Sequence, residues 1–174
     1  MNLSSVNGKN WIFKKFNPSD VTNYADNFSL SEIVAKLISI RKNYISDINL
    51  FLNPKIKNLL PNPFHIKDMK NAIDRTYKSI LNGELIGIFG DYDVDGASST
   101  ALLAKYFSSI NQKIKTYIPD RQTEGYGPSN VGFKNLIDLG SKIIFTVDCG
   151  TLSFEPINYA QKLKIDVIVL DHHC

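Results

Sequence analysis

Five carboxylates and two imidazoles stand out in this chain by type and spacing: Asp91, Asp93 and Asp95 at alternate positions of "GDYDVDG", Asp148 in "FTVDCG", and the triplet Asp171-His172-His173. Groups of this kind bind divalent cations, move protons or attack phosphorus. The first stretch fits the opening of a calcium loop, D-x-[DN]-x-[DN]-G. That reading fails at the twelfth loop position, where Leu102 replaces the closing glutamate, and at the preceding segment, where the apolar "ELIGIF" reads as a strand. A phosphatase of the haloacid-dehalogenase type would use Asp91 as nucleophile beside Asp93, but it has no use for a D-H-H triplet. A divalent metal site uses all three clusters. So many carboxylates in one crevice need a counter-charge. The oxygen-rich, thiol-poor donor set suits Mn²⁺ or Mg²⁺ better than structural Zn²⁺, and imidazole favours Mn²⁺.

The elements that must position these residues follow from the apolar pattern. From Glu84 onward, "ELIGIF", "KIKTYI", "KIIFTV" and "DVIVL" read as strands. They alternate with helices over Ala97–Ser109, near Asn130–Leu139 and near Glu155–Leu163. The strand runs are apolar without strict alternation, so both faces of the sheet should be covered. The fold class is therefore α/β, a doubly wound and mostly parallel sheet. Ligands of such sheets lie beyond the carboxyl ends of the strands. Asp91, Asp93 and Asp95, then Asp120 and Arg121, then Asp148, then the D-H-H triplet follow those four ends in order. The last strand has no helix after it, which predicts a thinly covered sheet face.

Upstream, residues 1–30 read as polar and irregular, "SLSEIVAKLISIRK" as a helix capped by Ser29 or Ser31, and "FLNPKIKNLLPNPF" as a connector punctuated by Pro and Asn. A further helix has one apolar face from Ile66 to Ile80. The whole is a helical extension in front of the sheet domain.

Composition excludes several classes. With 174 residues and 43% hydrophobic content there is room for one domain and an appendage, and a net charge of +3 does not by itself indicate nucleic acid. Two cysteines, Cys149 and Cys174, form neither a disulfide framework nor a metal pair, which predicts a cytoplasmic protein. "MNLSSVNGKNWIFKKF" lacks an apolar leader core, and no run of about 18 apolar residues suggests a membrane span.

The segments "IFGDYDVDGASSTALL", "IPDRQTEGYGPS", "FTVDCG" and "VIVLDHH" resemble, in order and spacing, the successive motifs of the DHH phosphoesterase superfamily. The resemblance covers about Phe51 to Cys174. It divides the chain into an irregular and helical extension, 1–83, and a DHH phosphoesterase domain, 84–174, incomplete at its C-terminus. It implies a hydrolase in which two Mn²⁺ or Mg²⁺ ions cleave phosphodiesters from the 5′ end of single-stranded DNA, releasing mononucleotides in DNA repair and recombination. Carried over by position, Asp93 and Asp95 resemble paired metal ligands, Asp91 begins the same motif, and Asp148 resembles the carboxylate bridging both metals. His172 resembles a direct ligand, with Asp171 and His173 in support. The catalytic set is then Asp148, His172 and His173. Some members carry a histidine at the position of Phe89, so one ligand is absent here.

Four further positions have two readings each. Arg121 either meets a substrate phosphate or pairs with Asp120 or Glu124. Tyr126 in the glycine-bracketed "EGYGPS" either stacks on a base or packs. Ser98 and Ser99 either hold a phosphate at the first turn of a helix or cap it, and Asp95 itself is a candidate cap. Cys149 reads as buried packing rather than a nucleophile.

Family members continue past D-H-H with a further aspartate and a substrate-closing domain. The expectation is that this chain alone is inactive and works with a separate C-terminal chain, as a fragment or the product of a split gene. Family analogy adds single-stranded DNA, a single-strand-binding protein and a helicase as partners. The competing readings are a non-enzymatic remnant of a degraded gene, and a phosphodiesterase acting on short oligonucleotides or cyclic dinucleotides.

Overall fold

The computed structural model describes residues 3–173, so Cys174 lies outside it. The chain forms two compact units, Met1–Asn62 and Pro63–Cys174. In the first, β1 (Leu3–Ser4) and β2 (Asn10–Trp11) pair antiparallel, followed by helices α1 (Pro18–Phe28), α2 (Glu32–Arg41), α3 (Ile48–Leu52) and α4 (Ile56–Leu59). Helix α1 corrects the expectation that residues 1–30 are irregular. Its start is fixed by Asn17, whose side chain accepts from the Ser19 amide at 3.0 Å, and by Pro18 at the first helical position. Ser29, with φ 51°, ends α1, whereas Ser31 caps α2 by accepting from the Val34 amide. The two candidate caps thus serve different helices. Helix α3 is a short turn that runs into the start of the expected connector and stops at Asn53-Pro54, and α4 is a single turn inside it that stops before Pro61.

The second unit opens with α5 (Met69–Leu81) and alternates β3 (Leu85–Gly90), α6 (Val94–Ser109), β4 (Ile114–Tyr117), α7 (Asn130–Asp138), β5 (Ser141–Val147), α8 (Phe154–Lys162) and β6 (Asp166–Leu170). The four strands are all parallel, in the order β4-β3-β5-β6. Side chains alternate across the sheet. Ile86, Ile88, Ile143, Phe145 and Val147 pack with Phe107 of α6, and Ile80 of α5 joins them. On the other face Phe89 and Ile144 pack with Phe133 and Leu136 of α7 and Ala160 of α8. Each such buried side chain contributes roughly 2 kcal/mol, and Leu136→Ala would forfeit about 2–5 kcal/mol. Phe89 is central to this second cluster, stacked on Tyr117 at 5.4 Å. The two edge strands, β4 and β6, have no fully buried residue, and Val169 of β6 is more than one third exposed. Among the described residues no helix is long and apolar enough to cross a membrane.

Candidate metal centre

The strand register builds the site. Gly90 of β3 pairs with Val147 of β5, and Val147 pairs with Leu170 of β6. The residue after each strand end is therefore Asp91, Asp148 and Asp171, one aspartate at the carboxyl end of each of three neighbouring strands. The Asp148 amide donates to the Leu170 carbonyl at 2.9 Å and prolongs the ladder into this row. Because β4 lies to one side of β3 and β5 to the other, the chain leaves β3 and β5 in opposite directions, opening a crevice between them. Phe89 pairs with Tyr117, so the same row reaches Pro119 on the β4 side, and Asp120 and Arg121 lie beyond it.

Asp91 is fully buried, and neither of its carboxylate oxygens has a hydrogen-bond partner. It sits where the first turn of α6 meets the strand end backbone to backbone: a Cβ on Gly96 would come within 2.5 Å of the Asp91 carbonyl oxygen, and one on Gly90 within 1.9 Å of Thr100 Oγ1. Both glycines of "GDYDVDG" are there for this approach. Helix α6 begins at Val94, earlier than the expected Ala97, and its cap is Asp93 rather than Asp95: the Gly96 amide donates to Asp93 Oδ1 at 2.9 Å. Asp95 follows in the exposed first turn.

Across the crevice, Asp148 (φ 60°), His172 and His173 bring one donor atom each within 4.8 Å of one another. His172 Nε2 lies 3.1 Å from Asp148 Oδ1, and the two imidazoles lie 4.5 Å apart, tilted by 37°. Asp171, its side chain only 2% exposed, accepts from the amides of Thr151, His172 and His173 at 3.0, 2.8 and 3.1 Å, and its Oδ1 is 2.6 Å from His173 Nδ1. Burial alone would raise the Asp171 carboxyl, but the donors from Thr151 and His173 outweigh it and hold the group well below the usual carboxylate range. His173 is pushed up in turn, chiefly by its bond to Asp171, and also by the charges of Asp148 and Asp93. Asp171 is thus saturated by protein donors, whereas Asp91 has none.

No lysine or arginine forms an ion pair with any of these five aspartates among the described residues. An orphaned, buried carboxylate beside an Asp–His–His cluster fits a hard divalent cation, which would supply the missing positive charge. Burial first, then the charges of Asp91, Asp171 and Asp148, push the Cys149 thiol up to about 12. Cys149 is accordingly a neutral, buried packing residue.

The flank of the crevice departs from the simple alternatives. Arg121 pairs with neither Asp120 nor Glu124; its guanidinium carbon lies 5.5 Å from the centre of the Tyr92 ring. Asp120 is occupied by the amides of Gln122 and Thr123. Glu124 accepts from the Tyr117 hydroxyl, the Asp120 amide and Ser129 Oγ at 2.8, 3.0 and 2.9 Å. Tyr126 meets Tyr92 edge-on at 6.3 Å. Ser98 is exposed and donates to the Asp95 carbonyl at 3.2 Å, and Ser99 beside it is half-buried. The role of Glu124 as a brace, of Thr151 as a donor to Asp171 and of Tyr92 as a link was missed from sequence. Only Glu124 left a signal, a carboxylate directly before "GYG".

Comparison with known proteins places this geometry. Residues 85–174 match the model described as the DHH family, N-terminal domain. The chain is 33% identical to the single-stranded-DNA-specific exonuclease RecJ of Bacillus subtilis over 94% of its own length and 21% of the relative's, and 34% identical to RecJ of Escherichia coli over 70% and 21%. It therefore spans about a fifth of these relatives. Among solved structures, exonuclease RecJ bound to manganese is similar with a TM-score of 0.59 at 29% identity, covering 63% of this chain and 28% of that one. RecJ in complex with Mn²⁺ from Thermus thermophilus shares the fold with a TM-score of 0.66 at 20% identity, over 91% and 22%.

Proposed function

The chain belongs to the DHH family, and on that premise we propose that it forms the metal-binding part of a RecJ-type exonuclease, hydrolysing single-stranded DNA from its 5′ end to mononucleotides in repair and recombination. The observation that carries this reading is Asp91: a buried carboxylate without a partner, in one row with Asp148 and Asp171. Asp91, Asp93, Asp95, Asp148 and His172 would hold two Mn²⁺ or Mg²⁺ ions, with Asp171, already taken by protein donors, supporting them or adding an oxygen. Such ions, when bound, supply charge that neutralises the phosphodiester and activates water.

The chain's own groups divide the remaining work. Asp171, tied down by three amides, fixes the D-H-H turn so that His172 faces Asp148. His173, with its pKa raised, holds a proton beside the crevice at neutral pH more readily than a free histidine. Arg121, free of any carboxylate, keeps its charge available to a phosphate, and the hydroxyls of Ser98 and Ser99 lie in the turn after the metal loop. The proposed partners are single-stranded DNA, a C-terminal chain supplying the rest of the active site and, by analogy, a single-strand-binding protein and a helicase, all in the cytoplasm.

The test uses 5′-labelled single-stranded DNA and Mn²⁺. The chain alone should release nothing. Joined to the C-terminal four fifths of a relative, it should release mononucleotides in a metal-dependent reaction that Asp148→Asn abolishes. A joined protein that folds, binds Mn²⁺ and cleaves nothing would overturn the proposal, as would cleavage confined to cyclic dinucleotides.

A further inference from the structure

The loop between β4 and α7 reaches across the crevice and touches the D-H-H turn through one side chain. Tyr126 stands between Gly125 (φ 80°) and Gly127 (φ 77°), two left-handed positions that let the chain project a residue outward and return. The loop is not loose, because Glu124 is gripped from β4, from Asp120 and from the cap of α7. The Tyr126 hydroxyl lies 3.2 Å from Nδ1 and 3.4 Å from Nε2 of His173, and 3.4 Å from the Asp148 carbonyl. Nδ1 is already engaged by Asp171, so Nε2 is the ring nitrogen left to pair with the Tyr126 hydroxyl. The two rings meet edge-on, 5.8 Å apart at 85°.

His173 has a reason to need this. Its side chain is 45% exposed, and the protein otherwise grips it at one nitrogen, by Asp171. With Nδ1 alone held, the far edge of the ring has no second anchor, and His172, whose ring lies 4.5 Å away and tilted by 37°, would follow any displacement of it. His172 is the residue that faces Asp148. We propose that Tyr126 is a positioning residue, whose hydroxyl and ring fix the imidazole of His173 and, through it, the orientation of His172 toward Asp148. This rests on the metal-centre reading of the D-H-H turn, and it assigns Tyr126 a role in the site other than stacking on a nucleobase. The ring already has two near-perpendicular ring neighbours, Tyr92 and His173.

The test is Tyr126→Phe, which keeps the ring and removes the hydroxyl. The chain has three histidines, so the ring-nitrogen resonances of His173 can be resolved from those of His65 and His172 in the metal-free protein. At about pH 9, where imidazole is neutral, the wild-type His173 nitrogens should be well separated, reporting one fixed tautomer. In Tyr126→Phe the Nε2 resonance should shift as it loses the hydroxyl while Nδ1 and His65 stay in place, and Mn²⁺ should bind about tenfold more weakly by calorimetry. Tyr126→Leu, lacking the ring as well, should shift His172 along with His173. Unchanged His173 nitrogens in Tyr126→Phe, or equal Mn²⁺ affinity in the two proteins, would overturn the proposal. Should wild-type protein bind no Mn²⁺, the functional reading fails, and the metal-free resonances still decide whether Tyr126 fixes His173.

Discussion

The two ends of the sheet handle negative charge in opposite ways. At the amino ends of the strands, Glu84 before β3 and Asp166 at the start of β6 converge on one guanidinium: Arg75 of α5 donates to Asp166 Oδ2 at 2.5 Å and to Glu84 Oε2 at 2.8 Å. It also reaches Ser79 Oγ at 2.8 Å and the Lys142 carbonyl at 3.3 Å. At the carboxyl ends, Asp91, Asp148 and Asp171 stand in a row with no arginine or lysine paired to them among the described residues. One end satisfies its carboxylates with the protein's own cation, and the other leaves a buried carboxylate open. A fold can do either, and the open end is the one the proposed function assigns to binding.

Supplying the missing charge should give the largest effect. With Mn²⁺ at several hundred times its Kd, the unfolding free energy should rise by about 3 kcal/mol, read as a chelator-reversible increase in thermal midpoint. The converse change, Arg75→Met, should remove the cation from the closed end and lower stability by about 2 kcal/mol in urea denaturation, the scale of hydrogen bonds to charged groups. If Arg75→Met costs nothing, the contrast between the two ends fails. A change of opposite sign is expected from Asp91→Asn. Removing a buried, unpaired charge should raise metal-free stability by about 1 kcal/mol and abolish most of the Mn²⁺-dependent rise.

The smallest effect is a pH dependence at the closed end. Glu84 is held below its usual value of 4.5, first by the Ser79 hydroxyl and then, against the cost of burial, by Arg75. A depressed carboxyl adds stability that is complete above the unfolded value and is lost as pH falls through the folded one. The wild type should therefore lose more stability than Glu84→Gln on acidification below about pH 4.5. Parallel acid titration curves for the two proteins, followed by urea midpoints, would remove Glu84 from the account.

Much of this was legible in the sequence, because apolar runs and βαβ spacing are set by burial on both faces of a parallel sheet. The strands around Leu85–Gly90, Ile114–Tyr117, Ser141–Val147 and Asp166–Leu170, and the helices between them, lie where the pattern put them. What the pattern could not carry is register. That Asp91, Asp148 and Asp171 share one row depends on which residues pair across strands, and the apolar runs are compatible with more than one offset. The cap of α6 was misread because alternate aspartates all look like caps, and the close backbone approach at Gly96 decides between them. Helix α1 was missed because Pro18 and Asn17 read as loop residues although both also start helices. The Arg75 clamp spans 91 residues of sequence to reach Asp166, a separation at which no local signal exists.

The contact between Gly96 and the Asp91 main chain also bears on ion choice. The floor of the site is backbone against backbone, so no side chain there can be trimmed or enlarged to resize it. On the proposed metal reading, discrimination between a larger and a smaller cation would fall to the rim, to Asp93, Asp95 and His172, whose side chains are exposed. Attempts to retune the metal preference of this protein belong at those three positions, with the glycine-closed loop left as it is.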